Sequence, residues 1–227
     1  MKNLLLATTL LAAVGATPAH AALNIAITAN GQTFTCTDGE ASCDQNGGAN
    51  NLLTVDTTVG GAFVELTLSQ SVKGNPNSLQ LSSSNIVNES GAPITIGLTA
   101  MDTGFLAPVT FIRDSGSLTF NDAVGSGESS LSFFANSSLL ERVFGTPLTN
   151  PDSFSGSNLA AFLANSPFSM TEQAQLQLIS GGSITGFNAS MTSGVPEPKT
   201  WAMVLVGFAF LGFAGYRRRI NRLGEFA

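Results

Sequence analysis

The sequence contains few of the side chains on which most enzyme active sites depend. Its 227 residues include one histidine, one tryptophan and one tyrosine. The histidine, His20, lies in an N-terminal segment that we expect to be cleaved off, so the mature protein would contain no imidazole. A Ser-His-Asp or Cys-His catalytic arrangement is thereby excluded. We therefore predict that the protein is not an enzyme and carries no cofactor.

Positive charge is also scarce between residues 22 and 194. This stretch contains thirteen acidic side chains but only three basic ones, Lys73, Arg113 and Arg142, which gives a net charge of −10. Proteins that bind nucleic acids through the phosphate backbone need a basic patch. The composition excludes that class of function, and we expect no nucleic-acid partner.

The first 21 residues have the three parts of an export signal. Lys2 gives a positive start, residues 4–14 are apolar, and Ala19 and Ala21 form the small-x-small pattern at which signal peptidase cuts. The apolar run of 11 residues is too short to cross a bilayer, which needs about 20. We predict a signal peptide at 1–21.

The other end of the chain combines an apolar run with a basic cluster. Residues 201–216 carry no charge, and Arg217, Arg218 and Arg219 follow directly. As a helix the run would be about 24 Å long, slightly short of the roughly 30 Å hydrocarbon core. The positive-inside rule keeps the arginines in the cytoplasm as a stop signal. We predict a single transmembrane helix at 201–216, with the preceding domain on the far side of the inner membrane.

A short motif stands directly before this run. Its residues are Pro196, Glu197, Pro198, Trp201 and Ala202. Together with the arginine triplet, they resemble the PEP-CTERM sorting signal of Gram-negative bacteria in its PEPxxWA form. The resemblance implies transient residence in the inner membrane, recognition by an exosortase, and cleavage near the motif. It also implies delivery to the cell surface or to the exopolysaccharide matrix of a biofilm.

The region between the two ends has the pattern of a β protein. Apolar and polar residues alternate with a period of two in short stretches, which are separated by clusters of Gly, Asn, Pro and Ser. We predict strands at 23–28, 32–36, 62–72, 79–87, 94–101, 109–112, 117–121, 131–135, 174–179 and 183–191. Asn30-Gly31 predicts a tight hairpin between the first two strands. Val64, Leu66 and Leu68 share one face of the third strand, and the inward residues expected in the last two are Leu176, Leu178, Ile184 and Phe187. About ten strands in one domain indicate an antiparallel β-sandwich or jelly-roll. The chain then consists of a signal peptide (1–21), an exported β domain (22–194) and a sorting signal (195–227).

One segment of this domain has a helical pattern instead. Ser157 is a suitable N-cap, Leu159, Phe162 and Leu163 stand at helical spacing, and Pro167 would end the helix. We predict one short helix here. The twelve phenylalanines between residues 22 and 194 are expected to fill the space between two sheets.

The chain contains two cysteines, Cys36 and Cys43. Export places them in an oxidising compartment, so we predict a disulfide. Two cysteines without histidine do not make a zinc site. In and just after the loop that they close lie oxygen-bearing side chains of the kind that Ca²⁺ prefers: Asp38, Glu40, Asp44, Asn46 and Asn50. Their spacing matches no common calcium loop, so the segment is either a solvated acidic loop or a Ca²⁺ site.

Three functions remain open at this stage. The first is a structural component of the surface or matrix, and the second is a Ca²⁺-assisted glycan-binding module. The third is a hydrolase that uses two carboxyl groups. The exported domain has no Trp or Tyr on which sugar rings commonly stack. This absence favours weak, multivalent association with polysaccharide over a tight lectin site.

Overall fold

A computed structural model describes residues 22–48, 50–195 and 204–210. Its twelve strands are β1 (Asn24–Ala29), β2 (Gln32–Thr37), β3 (Leu52–Val59), β4 (Ala62–Val72), β5 (Asn77–Asn88), β6 (Ile94–Phe105), β7 (Val109–Asn121), β8 (Ser129–Ala135), β9 (Ser138–Gly145), β10 (Asp152–Ala164), β11 (Phe168–Leu178) and β12 (Ser183–Gly194). They form two six-stranded sheets. The first has the order β2-β1-β6-β11-β8-β9, and the second has the order β10-β7-β12-β5-β4-β3. Every described pair of neighbouring strands is antiparallel, so the predicted β-sandwich is confirmed.

Tight turns set the register of the hairpins. Asn30 and Gly31 join β1 to β2, both with positive φ (48° and 73°), as the two-residue hairpin requires. Ala29 pairs with Gln32 directly beside this turn. The predicted hairpin is therefore confirmed.

Alternation along the strands buries one side of each sheet. Val64 and Leu66 on β4 are buried, as the period of two predicts. Leu68 is only half-buried, although it belongs to the same predicted face. A β-bulge between Leu66 and Leu68 shifts the alternation by one residue, so Ser69 and Ser71 point inward instead.

Most of the phenylalanines between residues 22 and 194 pack in the core, as predicted, but not all of them do. Five rings are buried, at positions Phe105, Phe120, Phe133, Phe168 and Phe187. Three more pack partly buried against them, at positions Phe34, Phe154 and Phe162. Phe144 is 61% exposed, because it lies on an outward position of the edge strand β9.

The short helix predicted after Ser157 is wrong. Residues 152–164 form the edge strand β10, in which Leu159 pairs with Arg113 of β7. Leu159 and Leu163 point outward and are 59% and 73% exposed, whereas Phe162 faces inward and its ring lies 5.2 Å from that of Phe168. The apolar spacing that suggested a helix therefore combines residues from both faces of a strand.

Sequence patterns also missed or divided other strands. No strand was predicted at β3 or β9. The two predicted strands at 109–112 and 117–121 are parts of one continuous strand, β7, which pairs with both β10 and β12. The interruption in the pattern consists of Arg113, Asp114 and Gly116, which are unusual residues for the middle of a sheet.

The sorting signal lies almost entirely outside the described residues. Residues 204–210 form a short helix, and the remaining regular secondary structure of the described residues is β. Among the described residues, no helix is long and apolar enough to span a membrane. The predicted cleavage residues Ala19 and Ala21, the motif residues, and the arginine triplet all lie outside the described part of the chain.

Candidate functional site

A shallow trough runs along the outer face of the second sheet, over β10, β7 and β12. It consists of three adjoining depressions with volumes of about 510, 710 and 500 Å³. The first and second share Arg113, and the second and third share Ser115 and Ser157. The residues of the trough are Asn75, Pro76, Phe111, Arg113, Ser115, Gly116, Ser117, Ser155, Gly156, Ser157, Asn158, Leu159, Asn188, Thr192, Gly194 and Val195.

Strand β7 forms the axis of the trough. Its side chains alternate, so that one set faces the trough and the other faces the interior. The outward set is Phe111, Arg113, Ser115 and Ser117, and the buried set is Ile112, Asp114, Gly116 and Leu118. From Phe111 to Ser117 the strand extends about 20 Å, at roughly 3.4 Å per residue. This distance accommodates several sugar rings of an extended chain.

Strand register places hydrogen-bonding groups side by side across the trough. Ser117 lies between Ser155 of β10 and Asn188 of β12. The Asn188 side-chain amide donates to Ser82 Oγ on β5 at 3.2 Å, which extends the polar row to a fourth strand. Hydroxyl and amide groups both donate and accept, so such rows match the hydroxyl groups of a polysaccharide.

Two glycines keep the floor of the trough close to the opposite sheet. A Cβ at Gly116 would lie 2.5 Å from Leu131 Cδ1, and a Cβ at Gly156 would lie 2.6 Å from Val143 Cγ2. Gly116 and Gly156 are register partners on β7 and β10. Their missing side chains allow the two sheets to approach at this point.

Arg113 provides positive charge in the trough. Its side chain is exposed between Leu159 and Thr192, its neighbours on β10 and β12. Among the described residues, Arg113 has neither an ion pair nor a side-chain hydrogen bond. Its guanidinium group is therefore available to a ligand.

Behind the trough, three carboxyl groups lie between the sheets. Asp114 of β7 is fully buried, and Glu172 of β11 is 1% exposed. Glu141 of β9 reaches toward Asp114, close to the position where Gly156 lacks a side chain. Both oxygens of Asp114, both of Glu172, and Oε2 of Glu141 lack a hydrogen-bond donor.

Burial raises the pKa values of two carboxyl groups in this cluster, those of Asp114 and Glu172. Desolvation by burial raises the pKa of Asp114 to about 8, and the neighbouring carboxyl group of Glu141 adds to the change through its side-chain oxygens and its negative charge. The backbone of Asn158 opposes the change. Desolvation also raises the pKa of Glu172 well above its ordinary value, and the nearby Asp114 adds to this effect. Protonated carboxyl groups therefore belong to the native state at neutral pH.

The carboxyl cluster does not supply the acid pair that a glycosidase needs. Such a pair flanks the glycosidic bond in an open cleft. Asp114 and Glu172 are at most 1% exposed and face the opposite sheet, away from the trough. Within the part of the chain that the structure describes, no Asp or Glu lines the trough.

The predicted disulfide is confirmed. Cys36 on β2 is bonded to Cys43, with a Cα–Cα distance of 5.8 Å. Cys36 is completely buried. The bond fixes the segment after β2 to the core of the first sheet.

Carboxyl groups of the acidic loop at 38–50 accept hydrogen bonds from groups within the loop or directly after it. Asp38 Oδ2 accepts from the Asn51 amide at 2.8 Å, and the two oxygens of Asp44 accept from the Gly39 and Asn46 amides at 3.0 Å. Glu40 accepts a 3.0 Å bond from the Ser42 hydroxyl. No group of three or more His, Cys, Asp or Glu side chains in the described residues is arranged to hold a metal ion. Asp38 and Asp44 are buried, so these two carboxyl groups serve as acceptors within the loop and are not the solvated side chains of the first interpretation.

Sequence reasoning missed the residues that distinguish the trough. Phe111 lay inside the predicted strand 109–112, and Arg113 fell in the gap between this strand and the next. The usable signal was the alternation of Phe111, Arg113, Ser115 and Ser117 with inward residues, which continues without a break across that boundary. The buried acids gave no such signal, because a polar residue in a strand is ordinarily expected to face solvent.

Comparisons with known proteins leave the family open. No family model and no curated protein matches the chain. Murine APRIL, in a crystal structure at pH 5.0, matches with a TM-score of 0.29 and 8% identity, over 77% of this chain and 98% of its own. TmCBM61 in complex with β-1,4-galactotriose matches with a TM-score of 0.29 and 8% identity, over 57% of this chain and 85% of its own.

A further match is a structure of carbohydrate-binding modules from the β-sandwich superfamily. Its TM-score is 0.28 at 13% identity, over 71% of this chain and 65% of the other. At this level of similarity, none of these structures decides what this chain binds.

Proposed function

We propose that the protein is an exported component of the cell surface or extracellular matrix that binds polysaccharide through the trough. The observation that carries the proposal is the trough itself, an extended depression about 20 Å long with hydroxyl and amide groups in register across its strands. A polysaccharide chain presents a repeated set of hydroxyl groups, which such a surface can bind at many points. Each contact is weak, and the sum over several sugar rings gives the affinity.

Two further observations support a location outside the cytoplasm. The N-terminal segment has the pattern of a signal peptide, and the chain contains a disulfide, which persists in oxidising compartments. The PEP-CTERM-like tail supplies the route within this proposal. An exosortase would cut near Glu197 and release the sandwich from the inner membrane.

Alanine substitutions in the trough test polysaccharide binding. The double variant Ser117→Ala/Asn188→Ala is expected to weaken binding about tenfold, because each hydrogen bond contributes about 0.5–1.5 kcal/mol. Binding would be measured by affinity electrophoresis of the full-length chain, in mild detergent, against exopolysaccharide from the cells that produce it.

The outer face of the first sheet provides a matched control. Gln173 and Gln175 are exposed on β11, in a polar face of the same kind that lies away from the trough. The variant Gln173→Ala/Gln175→Ala should bind as the unmodified chain does. Equal losses in the two double variants would mean that the trough is not the binding site, and absence of binding by the unmodified chain would reject the proposed function.

The sorting part of the proposal has a separate test. Replacing Glu197 with Ala should leave a tail-bearing precursor in the inner membrane, because the motif is read there by the protease. Intact mass measured separately on inner membrane, outer membrane and medium distinguishes precursor from product. A processed chain ending near residues 195–198 should be found at the surface or in the medium for the unmodified protein only. Release of E197A at the normal rate would contradict exosortase sorting.

A further inference from the structure

Arg113 occupies the position where two depressions of the trough meet. It lines both the depression that contains Phe111 and the depression that contains Leu159. Its side chain is exposed, and within the described residues it has no ion-pair partner. An arginine without a partner at the centre of a groove is well placed to contact a bound chain.

Charge around Arg113 makes this position different from the rest of the domain. The stretch 22–194 has a net charge of −10, yet none of the described residues that line the trough is Asp or Glu. Asp114, the next residue on β7, points to the other face of the sheet and is fully buried. Much of the domain surface would therefore repel a negative group on a ligand. In the trough, the guanidinium group of Arg113 would attract it.

Apolar groups beside Arg113 add a second element of recognition. Phe111 is half-buried two residues away on the same face of β7, a separation of about 7 Å. Leu159, the register partner of Arg113, is 59% exposed. A sugar ring that lies with its apolar C–H face on Phe111 or Leu159 has its edge within reach of the guanidinium group.

We infer that the trough prefers acidic polysaccharides, and that a carboxylate on a sugar ring pairs with Arg113. The planar guanidinium fork matches a carboxylate with two parallel hydrogen bonds, which neutral sugars cannot reproduce. The chemistry that identifies the ligand is a uronic acid unit in an extended chain. The inference rests on the proposed polysaccharide binding and specifies which class of polysaccharide is bound.

A pair of polymers that differ only at the carboxylate tests the inference. The probes are polygalacturonate and the same polymer after reduction of its carboxyl groups to alcohols. The full-length chain should bind polygalacturonate about tenfold more tightly at low salt, and the difference should shrink as NaCl is raised. Affinity electrophoresis in gels that contain each polymer measures both values.

Variants assign the preference to one side chain. Arg113→Gln should remove the difference between the two polymers, because it should weaken binding to polygalacturonate about tenfold more than binding to the reduced polymer. Arg142→Gln is the matched control, because Arg142 is exposed on β9 of the other sheet, where its Nε donates to Ser132. This control should keep the full preference. Melting temperatures of both variants, measured by circular dichroism, would show that they are folded.

Two kinds of failure are distinguishable. Equal binding of the two polymers by the unmodified chain, or a preference that survives in R113Q, overturns the acidic-ligand inference and leaves the proposed function standing. Absence of binding to both polymers and to the native exopolysaccharide overturns the proposed function as well.

Discussion

Raising the pH from 5 to 9 is expected to lower the free energy of unfolding by several kcal/mol. The cause is the carboxyl cluster of Asp114, Glu141 and Glu172 between the sheets. In the folded protein the pKa of Asp114 is about 8, against an ordinary value of 3.8. The pKa of Glu172 is also raised well above its ordinary value.

Linkage gives the sign of the effect. Between pH 4 and pH 8 the unfolded chain has lost the proton of Asp114 while the folded chain retains it, so deprotonation favours unfolding. The stability contributed by this protonated group is complete below the ordinary pKa and is lost progressively as the pH rises to the folded value. The slope is about 1.4 kcal/mol per pH unit for each group that behaves in this way. Glu172 adds a loss of the same sign.

In the described part of the chain, no cationic side chain pairs with the cluster to relieve its repulsion. The titratable groups that face Asp114 are Glu141 and Glu172. Arg113 and Arg142 are adjacent in sequence to Asp114 and Glu141 but lie on the outward faces of their strands. Ionisation at high pH therefore puts negative charges together in a region with low water content, which is costly.

Asp114→Asn removes the ionisable group and keeps its shape. The variant should have a flatter stability profile and should be more stable than the unmodified protein at pH 9. Urea unfolding followed by circular dichroism at pH 5, 7 and 9 measures the effect. The control is Glu128→Gln, which changes an exposed carboxyl group in the segment before β8. A stability that rises or stays level from pH 5 to 9 in the unmodified protein would show that Asp114 and Glu172 do not keep their protons in the folded state.

Local alternation predicted much of the sandwich. The pattern of β4 was read with its full bounds, and Asn30-Gly31 marked the first hairpin, because both features depend on residues close together in sequence. Export and the number of cysteines were sufficient to predict the disulfide. The alternation of Leu176, Leu178, Ile184 and Phe187 also identified buried positions in the last hairpin.

The wrong predictions fall on two strands of the second sheet. One is the edge strand β10, and the other is β7, which has charged residues in its middle. Strand β10 has a neighbour on one side only, so its outward positions are free to carry Leu159 and Leu163, which imitate a helical spacing. Strand β7 places Asp114 inward, against the ordinary preference of a carboxylate for water. Composition does not reveal that Glu141 and Glu172, which are distant in sequence, lie near Asp114 in the folded protein.

The trough was not predictable from the order of residues alone. Ser117, Ser155 and Asn188 become neighbours through pairing of β7 with strands that follow it much later in the chain. Arg113 gains its significance because no acidic residue lies beside it on that face among residues 22–48 and 50–195, and this arrangement depends on the same pairing. Single-sequence patterns describe one strand at a time and carry no information on which strands pair.

Breaking the buried ion pair between Lys73 and Asp102 is the second change that we expect to lower the free energy of unfolding strongly. Lys73 directly follows β4 in the second sheet, and Asp102 belongs to β6 in the first. Lys73 Nζ lies 3.0 Å from Asp102 Oδ1, and the two side chains are 8% and 0% exposed. Asp102 also accepts bonds from the Ser71 hydroxyl at 2.5 Å and from the Thr103 amide at 2.6 Å. The pair therefore joins the two sheets through charged groups that have little access to water.

Lys73→Met should destabilise the protein by about 3–5 kcal/mol, because it leaves the carboxylate of Asp102 buried without its cation. Urea unfolding at pH 6 measures the change. Arg142→Met is the control, since it removes a basic side chain that is exposed, and it should cost less than about 1 kcal/mol. A loss in Lys73→Met no larger than in this control would mean that Asp102 does not depend on Lys73.

The double variant Lys73→Met/Asp102→Asn separates loss of the charge pair from loss of packing. Asparagine is neutral and fills the same space. Its one carbonyl oxygen accepts the bond from the Thr103 amide, and its NH2 group donates to the Ser71 hydroxyl, which reverses that bond, so the penalty of an unpaired charge disappears. The double variant is therefore expected to be more stable than Lys73→Met alone, with a coupling energy of about 1–3 kcal/mol between the two sites. Additive losses would instead assign the effect of Lys73 to the packing of its aliphatic stem between the sheets.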